Sequence, residues 1–387
     1  MDSHAKYFYS LIGILGLALF AILAMNLKLM ENDLGGGRKA FHASSWQEKT
    51  RGVTYAPPLS STRLFKTLRL NDRLPHIDTV IFGSSTAMGA RPDMFPGMKA
   101  YNFAQTGNLL LSVIGEAQYI QKNDPEIRNF VIPLDWSLDF LYMKGTPSMA
   151  DLSEPKPGMD QKMPPFLARM KEAMSEPRIK NLSAVLISIL KSHHKWDAAK
   201  GIFLDDSGRD YRCADGEIAR DYDTMNRGTC TGFRYDGSAT FGNLERVKQG
   251  EHAAMVLEAT IPSSKYSKAL MDSKGEINPE ILKGLSGIVA NAKGKVILFM
   301  PPLLPGMEKK FMMMHPYAEY LAHTKKELDS WAKHENVTIV DAGESEKYGC
   351  TTDEFVDQHH AVSSCYQKIF EQYFRQAPDR KGIYAPN

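Results

Sequence analysis

Five short apolar runs separated by helical patterns predict an α/β/α protein, with a parallel sheet covered on both faces. The runs cover residues 79–82, 99–103, 130–134, 295–300 and 337–340. They are too short for helices and largely apolar, as buried strands are. Helical patterns fall between them at residues 109–122, 279–292 and 317–334. Functional residues of such a sheet are expected at the carboxyl ends of its strands. A chain of 387 residues can bury a large core, as one big domain or two smaller ones.

At the N-terminus, residues 1–6 are a short tail, and residues 7–27, "YFYSLIGILGLALFAILAMNL", carry no charge. That is about the 20 residues a helix needs to cross a bilayer. Lys6 and Lys28 flank the run on either side, so charge does not orient it. The rival reading is a cleaved signal peptide, but the run is long for one and "AILAMN" is a poor cleavage match. An uncleaved anchor is expected, with the remainder on one side of a membrane. Residues 28–62, rich in Gly, Ser and polar side chains, read as a flexible juxtamembrane linker. Its triple glycine lacks the lysine and hydroxyl of a phosphate loop.

The domain proper spans 63–387. Between about 145 and 275 the strand–helix alternation lapses into "FLARMKEAM", "NLSAVLISILKSHHKW" and the polar "DYDTMNRGTCTGFRYDGSATFG", an insertion at one edge of the core. Four cysteines fall into two sequence-local groups, and of their three possible connectivities the local one, Cys213–Cys230 with Cys350–Cys365, is expected. In an exported protein these read as disulfides; four free thiols in a cytosolic domain are the alternative. None has the C-x-x-C spacing of a zinc or redox site. A net charge of +2 without a basic block argues against nucleic acid as the main partner.

Three stretches carry chemistry. In "VIFGSSTAMGA", residues 80–90, Gly83 permits a sharp turn after a strand. Ser85 then falls at the start of a helix, where unsatisfied N–H groups can stabilise an oxyanion. Ser84 is placed to shape the turn or cap the helix. An isolated G-S-S is more often only a capping pair. In "DEFVDQHHAVSS", residues 353–364, Asp357 and His360 are three apart and share a face on a helical turn. Asp357 can then fix the tautomer of His360 while the other ring nitrogen faces a serine. His359 points elsewhere on such a turn and reads as packing. A lone D-x-x-H is often a surface pair. In "YNFAQTGNLL", Gly107 precedes a helix and can bring its N–H, with Asn108 beside it, to an oxyanion; the plain reading is a strand-to-helix loop.

Together these blocks resemble the SGNH hydrolase superfamily over roughly residues 75–140 and 290–375. The resemblance implies a flavodoxin-like three-layer fold, Ser85 as nucleophile and Asp357–His360 as acid–base pair. It places Gly107 in the oxyanion hole, with Ser84, Asn108 and Asp135 around the substrate. More narrowly, the anchor with "FGSS", "YNFAQTGN" and "DQHHAVSS" is similar to anchored proteins of bacterial surface-polymer acylation, such as D-alanyl-lipoteichoic-acid assembly and polysaccharide acetylation proteins. That likeness implies an exported polysaccharide substrate, a multispanning membrane-bound O-acyltransferase as partner, no cofactor, and a domain outside the cytoplasmic membrane. One block departs: "VIPLDWSLDF" offers Asp135 where such proteins carry an oxyanion asparagine. A carboxylate donates poorly, and one missing donor costs about 10²–10³ in rate. Acyl transfer, ester hydrolysis and a non-catalytic scaffold that binds polymer or steadies the acyltransferase therefore all remain as expectations. The other notable stretches read blandly: "FMMMHP" as packing, His193 and His194 as a helix end, and Arg234–Tyr235–Asp236 as a turn rather than a carbohydrate groove. No metal or nucleotide motif is present.

Overall fold

The computed structural model describes residues 3–31, 38–55, 62–134, 232–240, 277–313, 317–376 and 383–385, together with scattered positions between 167 and 187 and the short stretches 195–197 and 202–204. Its elements in chain order are helix α1 (Ser3–Glu31), α2 (Arg38–Thr50), strand β1 (Thr54–Tyr55), α3 (Thr62–Arg73), β2 (Thr79–Ile81), β3 (Ala100–Asn102), α4 (Leu110–Asn123) and β4 (Asn129–Pro133). Then come β5 (Lys195–Asp197), β6 (Ile202–Leu204), β7 (Gly232–Phe233), β8 (Ala239–Thr240), α5 (Pro279–Asn291), β9 (Val296–Met300), α6 (Met307–Met312), α7 (Tyr317–Trp331), β10 (Val337–Asp341), α8 (Ser363–Gln376) and β11 (Ile383–Tyr384).

Six strands form one parallel sheet in the order β3-β2-β4-β9-β10-β11. Renumbered within the sheet this is 2-1-3-4-5-6, the doubly wound order with its direction reversing beside β2. Each of the five apolar runs is one of these strands. All five residues of β9 are buried, which is why the run lacks polar alternation. Because the order reverses at β2, the right-handed rule sets the β2–β3 connection and the β3–β4 and β4–β9 crossovers on opposite faces. On one face α4 meets α5, where Gly284 lets Ile114 approach and Gln121 Nε2 donates to the Ile288 carbonyl at 3.0 Å. On the other, Phe370 of α8 packs on Phe95 of the β2–β3 connection and on Phe299 of β9, with ring centroids 4.6 and 5.6 Å apart.

Helix α1 contains a 26-residue apolar stretch, His4–Leu29, long enough to cross a bilayer. Of the expected linker, residues 38–55 carry regular structure. Helix α2 buries Ala40, Ala43, Ser44 and Gln47 along one stripe. β1 pairs antiparallel with β7, which pairs with β8, in a small separate sheet. From the expected insertion, the β7–β8 hairpin is built into the core fold: Asn102 N donates to the Asp236 carbonyl at 2.9 Å, within the turn that "RYDG" makes. Gly237 takes a φ of 86°, and a Cβ there would stand 2.1 Å from the Asn102 carbonyl oxygen. The buried Lys66 of α3 donates to the carbonyls of both Asn102 and Gly237. Burial pulls its pKa down to about 7, against the attraction of Asp236.

Candidate active site

Strand β2 leads into a turn that only glycine can make. Gly83 has a φ of 133°, and a Cβ on it would lie 2.3 Å from Pro133 Cγ and 2.8 Å from Ala87 Cβ. The chain then enters a short 3-10 helix over Ser85–Gly89, with Ser85 its first residue. Side chains from elsewhere hold that turn's carbonyls. Asn102 Nδ2 donates to Ala87 and Ala90 at 2.9 and 2.7 Å, Ser363 Oγ to Gly89 at 2.8 Å, and Tyr366 Oη to Thr86. Ser84 is the N-cap, its Oγ accepting from Thr86 N at 3.2 Å. Ser85, half-buried, stands first in the turn at the carboxyl end of β2, where the sheet order reverses.

Against Ser85 lies the segment between β10 and α8. His360 Nε2 is 2.8 Å from Ser85 Oγ, and His360 Nδ1 is 2.7 Å from Asp357 Oδ2. The spacing works, but not through the expected helical turn. Residues 356–359 form a bend closed by the Phe355–Ala361 bridge and by Val356 N donating to the His360 carbonyl at 2.9 Å. Asp357 itself organises the bend: its Oδ1 accepts from His359 N at 3.0 Å and His360 N at 2.9 Å. Leu304 N, from the loop after β9, braces the bend at the Gln358 carbonyl, 3.0 Å away. Cys350 and Cys365 are disulfide-bonded, with Cα atoms 5.1 Å apart, and close the segment into a loop.

Burial alone would raise the Asp357 pKa. The hydrogen bond from His360, the electrostatic influence of the two histidine rings and the His359 backbone N–H outweigh it, so the carboxyl titrates below the usual range. An ionised carboxylate only accepts, so the proton belongs on His360 Nδ1 and the Nε2 lone pair faces Ser85. His359 is not peripheral: its ring centroid is 4.2 Å from that of His360 and its Nδ1 is 3.6 Å from Asp357 Oδ1.

The loop after β3 docks on the same turn, with Gln105 N donating to the Gly83 carbonyl at 2.9 Å. Gly107, exposed and at a φ of 65°, and Ser85 both keep their backbone N–H groups without an acceptor among the described residues. Asn108, expected beside the substrate, has a buried side chain. Its buried amide donates to Glu116 Oε2 at 3.0 Å, while Gln105 Nε2 donates to Glu116 Oε1 at 3.2 Å. A buried carboxylate needs such donors, and the two amides thereby pin the loop that carries Gly107. Asp135 and the Cys213–Cys230 pair lie outside the described residues. The sequence pattern did not reveal Asn102, Glu116, Ser363 or Tyr366; the last two have partners far off in the chain.

The chain matches no protein-family model, no curated protein and no solved structure. Fold and site nonetheless define a class: a doubly wound α/β protein with a serine–histidine–aspartate hydrogen-bond relay at the carboxyl edge of its sheet. Such a relay can take the proton of a serine hydroxyl and return it to a leaving group.

Proposed function

We propose that the protein is a serine acyl-transfer enzyme, an acyltransferase or esterase acting on O-acyl groups of an exported cell-envelope polysaccharide. The observation that carries this reading is the relay itself, Ser85 Oγ to His360 Nε2 at 2.8 Å and His360 Nδ1 to Asp357 at 2.7 Å. As Ser85 attacks an acyl carbonyl, His360 takes its proton, and ionised Asp357 steadies the imidazolium that forms. In this reading the N–H groups of Ser85 and Gly107 receive the developing oxyanion. His360 then gives its proton to the departing alkoxide, leaving an ester on Ser85. A polymer hydroxyl, deprotonated by the same ring, completes the transfer; water in its place completes hydrolysis.

The resemblance to anchored SGNH-like proteins supports the substrate class and the multispanning O-acyltransferase partner. Helix α1 supports single-pass anchoring at the bacterial cytoplasmic membrane. The Cys350–Cys365 disulfide supports an oxidising compartment, the periplasm, for the domain. Asp135, where an oxyanion asparagine is expected, favours a second reading, a scaffold whose relay no longer turns over.

The test is intact-mass analysis of the full chain in detergent after incubation with an activated acetyl ester. A gain of one acetyl group that disappears in Ser85→Ala and persists in Ser84→Ala supports the enzyme and its nucleophile. Absence of both adduct and ester turnover in the unaltered chain favours the scaffold.

A further inference from the structure

We propose that Asp357, His359 and His360 form a binding site for a divalent transition-metal ion of the zinc class, and that the bound ion silences Ser85. The inhibitory half rests on the acyl-transfer reading above; the binding half does not.

The three side chains each offer a ligand atom, and these atoms all lie within 4.8 Å of one another. Around a tetrahedral Zn²⁺ with ligand bonds of about 2.0–2.1 Å, donor atoms stand roughly 3.3 Å apart. The His359 Nδ1 to Asp357 Oδ1 edge, at 3.6 Å, is already close to that value. His360 Nδ1 lies 2.7 Å from the other carboxylate oxygen, Oδ2, so the carboxylate spans the two rings and would hold the ion through one oxygen after turning, or through both, as that hydrogen bond is exchanged for metal bonds. Two imidazoles and a carboxylate suit zinc and its neighbours, whereas magnesium and calcium prefer oxygen donors throughout. Water completes the fourth position.

The site is also accessible and preformed. The side chains of His359 and Asp357 are 48% and 39% exposed, so an ion enters from solvent without opening the fold. The bend is already fixed by the two backbone hydrogen bonds to Asp357 and by the Cys350–Cys365 disulfide, so little chain entropy is lost on binding.

The ion would act through the tautomer of His360. Nδ1 carries the ring's one proton in the relay; the metal takes that position and the proton moves, by way of solvent, to Nε2. A neutral imidazole with a metal on Nδ1 carries its one proton on Nε2. The ring then donates to Ser85 Oγ instead of accepting from it, and the serine has no base. No bond to Ser85 is made or broken. Because His359 contributes a ligand without touching Ser85, it separates metal sensitivity from the acylation chemistry.

The test uses the full chain in detergent, stripped by chelator and titrated with Zn²⁺ alone by calorimetry, with Co²⁺ absorption as a second probe. The expected result is one ion per chain. Affinity falls roughly tenfold or more in His359→Ala and in His360→Gln, and is retained in Ser85→Ala. Absence of binding, or binding that survives either histidine substitution, overturns the site. In the acetyl-ester assay, Zn²⁺ should abolish the adduct in the unaltered chain but not in His359→Ala. An adduct that forms despite bound Zn²⁺ overturns the silencing. If Zn²⁺ binds as expected but no adduct forms even without it, the acyl-transfer reading fails while the metal site stands.

Discussion

An asparagine in place of Asp357 keeps the shape of the bend and removes its charge. Its carbonyl oxygen still accepts from His359 N and His360 N, but its amide would donate to His360 Nδ1 and turn Nε2 into a donor toward Ser85. Asp357→Asn should therefore lower the rate of adduct formation by about 10⁴ with little loss of melting temperature. The depressed pKa of Asp357 sets a sign as well. Below the ordinary value of 3.8 the unfolded chain takes up a proton that the native chain refuses, so this contribution to stability is present above that pH and lost as pH falls. Melting temperatures between pH 5 and 3 should drop more steeply in the unaltered chain than in the variant. Glu308 carries the opposite sign. Burial and the Asp341 carboxylate, against Lys325, push its pKa from 4.5 up to about 7. Its contribution is full below about pH 4.5 and lost as pH rises through 7. Glu308→Gln leaves Lys325 its partner Asp341 at 2.9 Å and should flatten the fall in melting temperature between pH 5 and 8. Asp357 and His360 were legible in the sequence because their mutual geometry is set within a few residues, and Ser85 because a strand and a glycine mark its turn. Tyr366 was not, since its partner Thr86 lies 280 positions away and a buried polar residue carries no local mark.

Elements were legible where burial left an unbroken apolar run, which is why all five expected strands exist. Helix α2 escaped because its buried stripe, Ala40, Ala43, Ser44 and Gln47, has helical spacing but almost no hydrophobicity. The bend at Asp357 was misread for another reason: i, i+3 proximity belongs to a helix and to an aspartate-capped turn alike, and only the Phe355–Ala361 bridge tells them apart. That bend has little regular structure of its own, so it depends on its clamps. Cys350 and Cys365 are 15 positions apart, and a loop of that length stabilises by about 3 kcal/mol through the unfolded chain. The double substitution Cys350→Ser, Cys365→Ser should cost about that much in denaturant melts. Lys368 and Ser364 of α8 still bind Glu354, at 2.8 and 2.6 Å, so the bend should persist and adduct formation should slow rather than vanish. Equal stability with and without the disulfide would mean that these polar clamps alone hold it.

At the scale of the molecule, the segment between anchor and sheet is part of the machine. Gln47 Nε2 donates to the carbonyls of Gly52 and Phe233 at 3.0 and 2.9 Å, and Glu48 meets the buried Arg69 at 2.6 Å. The Tyr235 ring lies against the guanidinium groups of Arg51, Arg69 and Arg73, 4.7 to 5.3 Å from its centroid. The end of α1 is tied in too, by Asn26 Nδ2 donating to the Ala173 carbonyl at 2.7 Å. From β1 a continuous set of contacts runs through β7 and its hairpin to Asn102, and Asn102 holds the carbonyls of Ala87 and Ala90 in the serine's own turn. Two truncations separate anchor from fold. A chain beginning at Arg38 loses α1 but keeps the contacts of α2 and β1, and should melt close to the full-length protein. A chain beginning at Thr62 loses α2, β1, the two Gln47 bonds and the β1–β7 pairing, at about 1 kcal/mol for each hydrogen bond. It should unfold at clearly lower denaturant and, where still folded, acylate Ser85 more slowly, because the hairpin behind Asn102 has lost its neighbour. If the two truncations match in both stability and acylation rate, residues 38–55 are the slack tether that their composition resembles, and the serine's turn is held by the sheet and α8 alone.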